Sequence, residues 1–395
     1  MRTVDSFNFE GKRALIRVDF NVPLNDAFEI TDDSRITAAL PTIHKILKDG
    51  GSVVLMSHLG RPKNGPEAKF SLNHLVPYLE KLIGVPVIFS NDCISEEATA
   101  ASQSLTSGSI HLLENLRFYT EETAGDVAFA TSLAKHGDIY VNDAFGTAHR
   151  AHASTSIVAQ YFDDKCFGYL MANEVANAKK LMSNPERPFT SIVGGAKVSD
   201  KILIIENLLS IADHIIIGGG MAYTFKVAQG GTIGNSLFEE DRVQTCKEIL
   251  EKAAIKGVQI HLPEDSTCAD NFSNDANTAL CDSDKIQDGW MGLDIGPKAV
   301  TAFTTVLLQS KTILWNGPMG VFEMSQFENG TKSIAQAVAD ATKTGAFSLI
   351  GGGDSSAAVK KFGFTNEVSY VSTGGGALLE FFEGKKLPGI EAIQS

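Results

Sequence analysis

The sequence predicts an α/β protein of two doubly wound, Rossmann-like parallel-sheet domains joined by a helical linker, with a cleft between them. Three observations carry that expectation. Short apolar, β-branched runs alternate with longer helical stretches along the whole chain, the rhythm of parallel sheets covered by helices on both faces. With 395 residues the chain exceeds the size at which one hydrophobic core stops growing. An amphipathic stretch at 168–183, stopped by Pro185 and Pro188, lies between two halves of different composition. The expected division is a first domain at 1–170, a helical linker at 171–188 and a second domain at 189–377.

Composition narrows the class further. A hydrophobic content of 43% with 21% charged residues describes a soluble globular chain. The five cysteines are odd in number and form no C-x-x-C, so neither a disulfide framework nor a zinc site is indicated, and a reducing compartment is expected. No basic-then-apolar leader opens the sequence and no apolar run nears the roughly 18 residues of a spanning helix, so the reading is cytoplasmic, without membrane attachment. A net charge of −13 argues against nucleic acid as a partner. Anionic small molecules must then be drawn by local positive charge.

In the first half the strand-like runs fall at 13–18, 53–56, 86–89, 110–113 and 139–141. Ligands of such sheets bind outside the carboxyl ends of the strands, and there stand Asp19-Phe20-Asn21, Ser57-His58-Leu59-Gly60-Arg61, Glu114 to Arg117, and Asn142 to Arg150. Seven of the nine arginines lie within the first 150 residues. Guanidinium forks recognise compact phosphates and carboxylates bidentately. Singly, each segment is better read as a capping Asp or a surface ion pair; four in register at one sheet edge suggest a polyanion site. His58, His149 and His152 lack metal-pair spacing and are read as hydrogen-bonding or packing groups. The 168–183 helix presents Leu170, Met171, Val175, Ala178, Leu181 and Met182 on its apolar side and would act as a semi-rigid lever, or simply as another crossover.

The second half has runs at 191–193, 214–217, 258–262, 312–315, 347–350 and 368–371, and 25 of the 36 glycines lie beyond position 187. After the first run, Gly194-Gly195 turns the chain into an expected helix that carries Lys197 and Lys201 four residues apart on one solvent-facing side. A strand turning on glycines into a helix start presents free N–H groups and the positive dipole end to phosphate. Later strand ends read Gly218-Gly219-Gly220, Glu264-Asp265, Asn316 to Gly320, Gly351 to Ser355, and Thr373 to Gly376. None matches Walker A or the spaced G-x-G-x-x-G. Gly351-Gly352-Gly353-Asp354-Ser355 still offers a backbone nest at a helix start, with Asp354 placed to approach Mg²⁺ and Ser355 to donate a hydrogen bond. Residue chemistry thus leaves open a phosphoryl-transfer enzyme and a nucleotide-regulated binding protein without catalysis. A dehydrogenase is weakened by the missing fingerprint.

The motifs Arg17-Val-Asp-Phe-Asn-Val-Pro-Leu24, Ser57-His-Leu-Gly-Arg-Pro62, Leu113-Glu-Asn-Leu-Arg-Phe118, Val141 to His152, Gly194-Gly-Ala-Lys-Val-Ser-Asp-Lys201, Trp315 to Glu323, Gly351 to Ser355 and Ser372 to Ala377 stand in one order from about residue 12 to 390. In that order and spacing the chain resembles phosphoglycerate kinase. The resemblance implies reversible phosphoryl transfer between 1,3-bisphosphoglycerate with ADP and 3-phosphoglycerate with ATP, the nucleotide carrying Mg²⁺. It assigns Asp19, Phe20, Asn21, Arg35, His58, Leu59, Gly60, Arg61, Arg117 and Arg150 to 3-phosphoglycerate. To the nucleotide it assigns Lys197, Lys201, Gly219, Gly220, Gly292, Leu293, Asn316, Pro318, Glu323 at the ribose, and Gly352, Gly353, Asp354 and Ser355, with Asp354 toward the metal. Ser355 stands where many members have Thr, which keeps the hydroxyl. A monomer is expected, with 378–395 returning to the first domain.

The chemistry agrees with the inventory. A carboxylate acceptor, with a pKa of about 3.5, is already ionised at pH 7, so no general base is required. Transfer asks for in-line positioning and positive charge around the equatorial oxygens. Arg35, Lys197 and Lys201 are the expected source, assisted by N–H groups around Gly353 and Gly376. Because two anionic reactants must meet with water excluded, a hinge closure is expected.

Overall fold

The computed structural model describes residues 1–63 and 65–395. The chain forms two compact units, Met1–Ala176 with Lys386–Ser395, and Asn177–Lys385. In the first, β1 (Arg13–Val18), β2 (Ser52–Met56), β3 (Val87–Phe89), β4 (Ile110–Leu112), β5 (Ile139–Asp143) and β6 (Lys165–Phe167) form one all-parallel sheet in the order β3-β4-β2-β1-β5-β6. β1, β2 and β5 are buried along nearly their whole length, as apolar central strands covered on both faces must be. The chain steps one way from β1 and later the other way to β5, so the crevice at the carboxyl ends of β1 and β5 is the switch point of this sheet.

The second unit repeats the principle. β7 (Phe189–Val193), β8 (His214–Ile217), β9 (Gln259–His261), β10 (Thr312–Asn316), β11 (Phe347–Ile350) and β12 (Tyr370–Val371) pair in parallel as β9-β8-β7-β10-β11-β12. Counted within the unit, this is the 3-2-1-4-5-6 order of dinucleotide-binding sheets, reached here without their glycine fingerprint. Its switch point lies between β7 and β10. Gly194 and Gly317 meet there so closely that a Cβ on Gly194 would fall 2.6 Å from the Gly317 carbonyl oxygen, and only glycine lets the two backbones touch.

All eleven expected runs are strands, with ends shifted by up to two residues. Six further strands among the described residues were not expected. β6 is three residues long and opens on a lysine. An antiparallel sheet of Asp265–Ala269, Thr278–Asp282 and Met291–Ile295, and a parallel pair, Thr232–Ile233 with Lys285–Ile286, lie outside the βα rhythm. The linker helix runs Tyr169–Ser183, with Met171, Val175, Ala178 and Leu181 buried as expected.

Two expectations are corrected. Lys197 and Lys201 do not share a helix face, because the helix starts at Ile202. The Ser199 N–H and hydroxyl both donate to Glu239, at 3.0 and 2.5 Å, and this holds the segment out of helical geometry. The return to the first unit also begins later than 378. Helix Gly376–Phe382 packs in the second unit, where Asn207 Nδ2 donates to the Phe382 carbonyl at 2.7 Å. Helix Pro388–Gln394 is the part that returns: the Gly389 N–H donates to the Ala148 carbonyl at 2.8 Å, and Asn142 Nδ2 donates to the Gly389 carbonyl at 3.2 Å.

Candidate active site

At the carboxyl edge of the first sheet the expected segments converge. Asp19 follows β1 directly, and its Oδ2 accepts from Arg35 Nη1 at 2.8 Å, so Arg35 pairs across to this strand end. Asn21 Oδ1 accepts from the Gly60 N–H at 2.8 Å, and Arg117 Nη1 donates to the Gly60 carbonyl at 3.0 Å. Phe20 and Leu59 are buried; the Phe20 N–H donates to Ser57 Oγ at 2.9 Å and the Leu59 carbonyl accepts from Asn115 at 2.7 Å. Their side chains set the loops and leave only backbone for a ligand. Arg61, Arg117 and Arg150 line a cavity of about 360 Å³ with Tyr119, Thr120 and Thr123.

Beneath this cavity lies a residue the candidate set missed. Arg17 is 1% exposed; its Nε donates to Ser154 Oγ at 2.9 Å, and its Nη2 donates to His58 Nδ1 at 3.2 Å. Ser154 Oγ in turn donates to the buried Glu122 at 2.6 Å. An arginine inside the otherwise apolar run Ala14-Leu-Ile-Arg17-Val18 is the signal that could have found it. Burial, then the guanidiniums of Arg17, Arg117, Arg35 and Arg150, hold His58 well below the usual imidazole range. Burial and the neighbouring Arg150 and Arg17 lower Arg117 to about 10. Glu122 and Asp19 offset only part of this positive charge at Arg117.

The second edge is built from backbone. Gly195, Ala196, Gly219, Gly220, Gly292, Leu293, Pro318, Glu323 and Asp354 line a cavity of about 470 Å³ with Tyr223, Leu237 and Phe272. Gly219 has φ +69°, and a Cβ there would meet the Gly195 carbonyl oxygen at 2.6 Å, so the two loops close on each other through glycine. Beside the cavity Lys201 Nζ donates to Asn316 Oδ1 at 2.5 Å, and Asn316 Nδ2 donates to the Gly351 carbonyl at 2.7 Å. Lys201 is half-buried, which lowers its pKa against the opposing pull of Asp200, Asp354 and Glu383; Lys197 is exposed. Helix Gly353–Lys361 starts here with Asp354 exposed in its first turn, while Gly376 starts the next helix. Ser355 departs from expectation: it is fully buried and its Oγ accepts from the Gly317 N–H at 2.5 Å, fastening two loops from below.

Three arginines thus line one cavity, and glycine loops wall another beside a lysine and a helix start. A phosphoglycerate kinase family model matches residues 4–385. The chain belongs to the phosphoglycerate kinase family. It is 53% identical to the phosphoglycerate kinase of Porphyromonas gingivalis, over 99% of this chain and 100% of that one. It is 50% identical to cytosolic phosphoglycerate kinase 3 of Arabidopsis thaliana, over 99% and 97%. Among solved structures, phosphoglycerate kinase from Coxiella burnetii superposes with a TM-score of 0.90 at 42% identity, covering 99% of this chain and 98% of that one. The Pyrococcus horikoshii enzyme gives 0.85 at 32%, over 100% and 98%. As in any phosphoglycerate kinase, the activity is phosphoryl transfer between a nucleotide and a carboxylate, with 3-phosphoglycerate or 1,3-bisphosphoglycerate and ATP or ADP as substrates. The non-catalytic binding protein is not favoured. Among the described residues no helix is long and apolar enough to cross a membrane.

Proposed function

We propose that the two edges divide the substrates. The arginine cup takes 3-phosphoglycerate and the glycine-walled cavity takes the nucleotide. The observation that carries this reading is the lining of the first cavity, where three guanidiniums face one space and no carboxylate is among the described lining residues. Arg61, Arg117 and Arg150 are offered to the phosphate end, and Arg35, Asp19, Asn21 and His58 to the carboxylate end. The apolar walls and Glu323 of the second cavity suit a base and ribose, with the start of helix Gly353–Lys361 and Lys201 on the phosphate side.

Mg²⁺ fits this arrangement as a cation arriving on the nucleotide. No group of three His, Cys, Asp or Glu that could hold a metal occurs among the described residues. Asp354 offers one exposed carboxylate at the helix start, and Mg²⁺ characteristically combines one or two carboxylates with phosphate oxygens and water. When bound it neutralises phosphate charge. The chain's own groups do the rest: Arg35 holds the acceptor side, Lys201 and Lys197 balance charge on the transferring group, and the N–H groups at Gly353 and Gly376 face the phosphates. The acceptor carboxylate needs no proton removed, so positioning and charge suffice. A cytoplasmic monomer is part of the same proposal, and the five free cysteines suit a reducing compartment. A coupled assay with MgATP tests the reading: ATP consumption should depend on 3-phosphoglycerate and be lost in Arg117→Ala. Binding of both ligands without turnover would overturn it.

A further inference from the structure

Asp294 is a buried carboxylate that the reaction does not use. It follows Gly292 and Leu293 of the nucleotide cavity on strand Met291–Ile295, is 2% exposed and does not line the cavity. Its Oδ1 accepts from the Ile295 N–H at 2.9 Å and its Oδ2 from the Gly330 N–H at 2.6 Å, at the start of helix Asn329–Lys343. Two glycines lie flush against it. A Cβ on Gly320 would come 2.3 Å from Oδ1, and one on Gly330 would come 2.2 Å from it. The segment 318–323, which contains Gly320, supplies Pro318, Met319, Gly320, Val321 and Glu323 to the cavity. That segment is also held elsewhere: the Val321 N–H donates to the Leu293 carbonyl at 2.9 Å, the Met319 N–H to Thr331 Oγ1 at 3.1 Å, the Gly219 N–H to the Met319 carbonyl at 3.1 Å and Lys361 Nζ to the Phe322 carbonyl at 2.7 Å.

We propose that Asp294 is a positioning residue for the nucleotide site, its two oxygens locking strand Met291–Ile295, Gly320 and the start of helix Asn329–Lys343 in the one register that forms the base and ribose cavity. The inference rests on the assignment of that cavity to the nucleotide. Only a carboxylate of this length satisfies the site. Asparagine has one acceptor oxygen for two N–H donors and turns its own amide against the other. Glutamate has no room between the glycines. An unpaired buried N–H is relieved by moving the loop, and a displaced base and ribose wall loses contact with the nucleotide while Lys201 and the start of helix Gly353–Lys361, on the phosphate side, keep their geometry.

The test uses the full chain and Asp294→Asn at pH 8, above the value of about 7 to which burial pushes this carboxyl. Dissociation constants for MgADP and 3-phosphoglycerate are measured calorimetrically, beside steady-state constants and the melting temperature. MgADP should bind at least tenfold more weakly and KM for MgATP should rise, with 3-phosphoglycerate affinity within twofold and kcat at saturating nucleotide within threefold. A merely structural carboxylate would lower the melting temperature without this selective loss. Gly330→Ala, which crowds the carboxylate and keeps it, should weaken MgADP in the same direction and carries the test should Asp294→Asn not fold. Ala196→Trp, which fills the cavity from an exposed position, separates the two ideas: unchanged MgADP binding there removes the cavity assignment. Loss of binding in Ala196→Trp, with MgADP affinity within twofold of wild type in Asp294→Asn or, failing that, Gly330→Ala, overturns the role of Asp294.

Discussion

Arg35 is held by a single 2.8 Å ion pair and is 38% exposed, so its removal costs the fold little and isolates its charge as the variable. Arg35→Ala should lower kcat by about 10³-fold with little change in 3-phosphoglycerate affinity, as expected of a guanidinium that meets charge in the transition state. A kcat within tenfold of wild type would leave only the ion pair with Asp19. Lys201 is a different case, because it is half-buried and bonded to Asn316. Lys201→Met keeps the stem but leaves Asn316 Oδ1 without its donor, a stability loss of about 1 kcal/mol. Turnover should fall by about 10²-fold or more and ATP should bind more weakly. Unchanged nucleotide affinity by calorimetry would remove Lys201 from the site and leave the helix start to hold the phosphates.

Between elements, a buried polar chain joins β4, helix Glu96–Gln103 and the turn after helix Val127–Ala134. His136 Nε2 donates to the Cys93 carbonyl at 3.1 Å, so its Nδ1 accepts from Ser102 Oγ at 2.6 Å. Ser102 Oγ then accepts from His111 Nδ1, and His111 Nε2 accepts from Ser90 Oγ, each at 2.8 Å. Every nitrogen is satisfied in the neutral form and a further proton has no acceptor. Burial accordingly lowers both histidines to about 4. The unfolded imidazole titrates near 6.5, so their contribution is complete above that pH and is lost as pH falls toward 4, by about 2 kcal/mol per histidine at pH 5. Urea unfolding at pH 7 and pH 5 reads this directly, and His136→Gln should flatten the slope; equal slopes would sink the account. At the switch point of the second sheet, Gly194→Ala would set a Cβ 2.1 Å from the Pro318 carbonyl oxygen, and should destabilise by about 3 kcal/mol in thermal or denaturant unfolding. How much of all this was legible follows from kind. Eleven strands of the two parallel sheets were, because buried parallel strands are mostly apolar runs, and so were the segments at their ends. The position of helix Ile202–Leu208 was not, since Glu239, 40 residues downstream of Ser199, decides where it begins. Nor was the role of Ser355, whose partner Gly317 is 38 residues away. Arg17 was visible as an anomaly within β1, but only the packing of Ser154 and His58 around it gives that anomaly a function.

For the molecule as a whole, acceptor and donor are assigned to different units, while transfer needs reacting atoms about 3 to 3.5 Å apart in a site without water. Ligands shift a conformational equilibrium only through differential contacts, and those are gained chiefly with both present. Small-angle scattering should therefore show a larger fall in radius of gyration with 3-phosphoglycerate and MgADP together than the two separate falls summed. Full compaction with one ligand, or none with both, would detach the motion from the division of the sites. The path of the chain has a different consequence, for biosynthesis. The second unit is one uninterrupted stretch, Asn177–Lys385, whereas the first also needs residues 386–395, and the Asn142 to Gly389 bond spans 247 positions. On a ribosome, β1 to β6 emerge first but must wait, incompletely packed, until the whole of the second unit has followed them out. The last contacts of the leading unit are thereby made only after the second unit has been synthesised. The strand that ends in Asn142 is thus translated early and gains its Gly389 partner last.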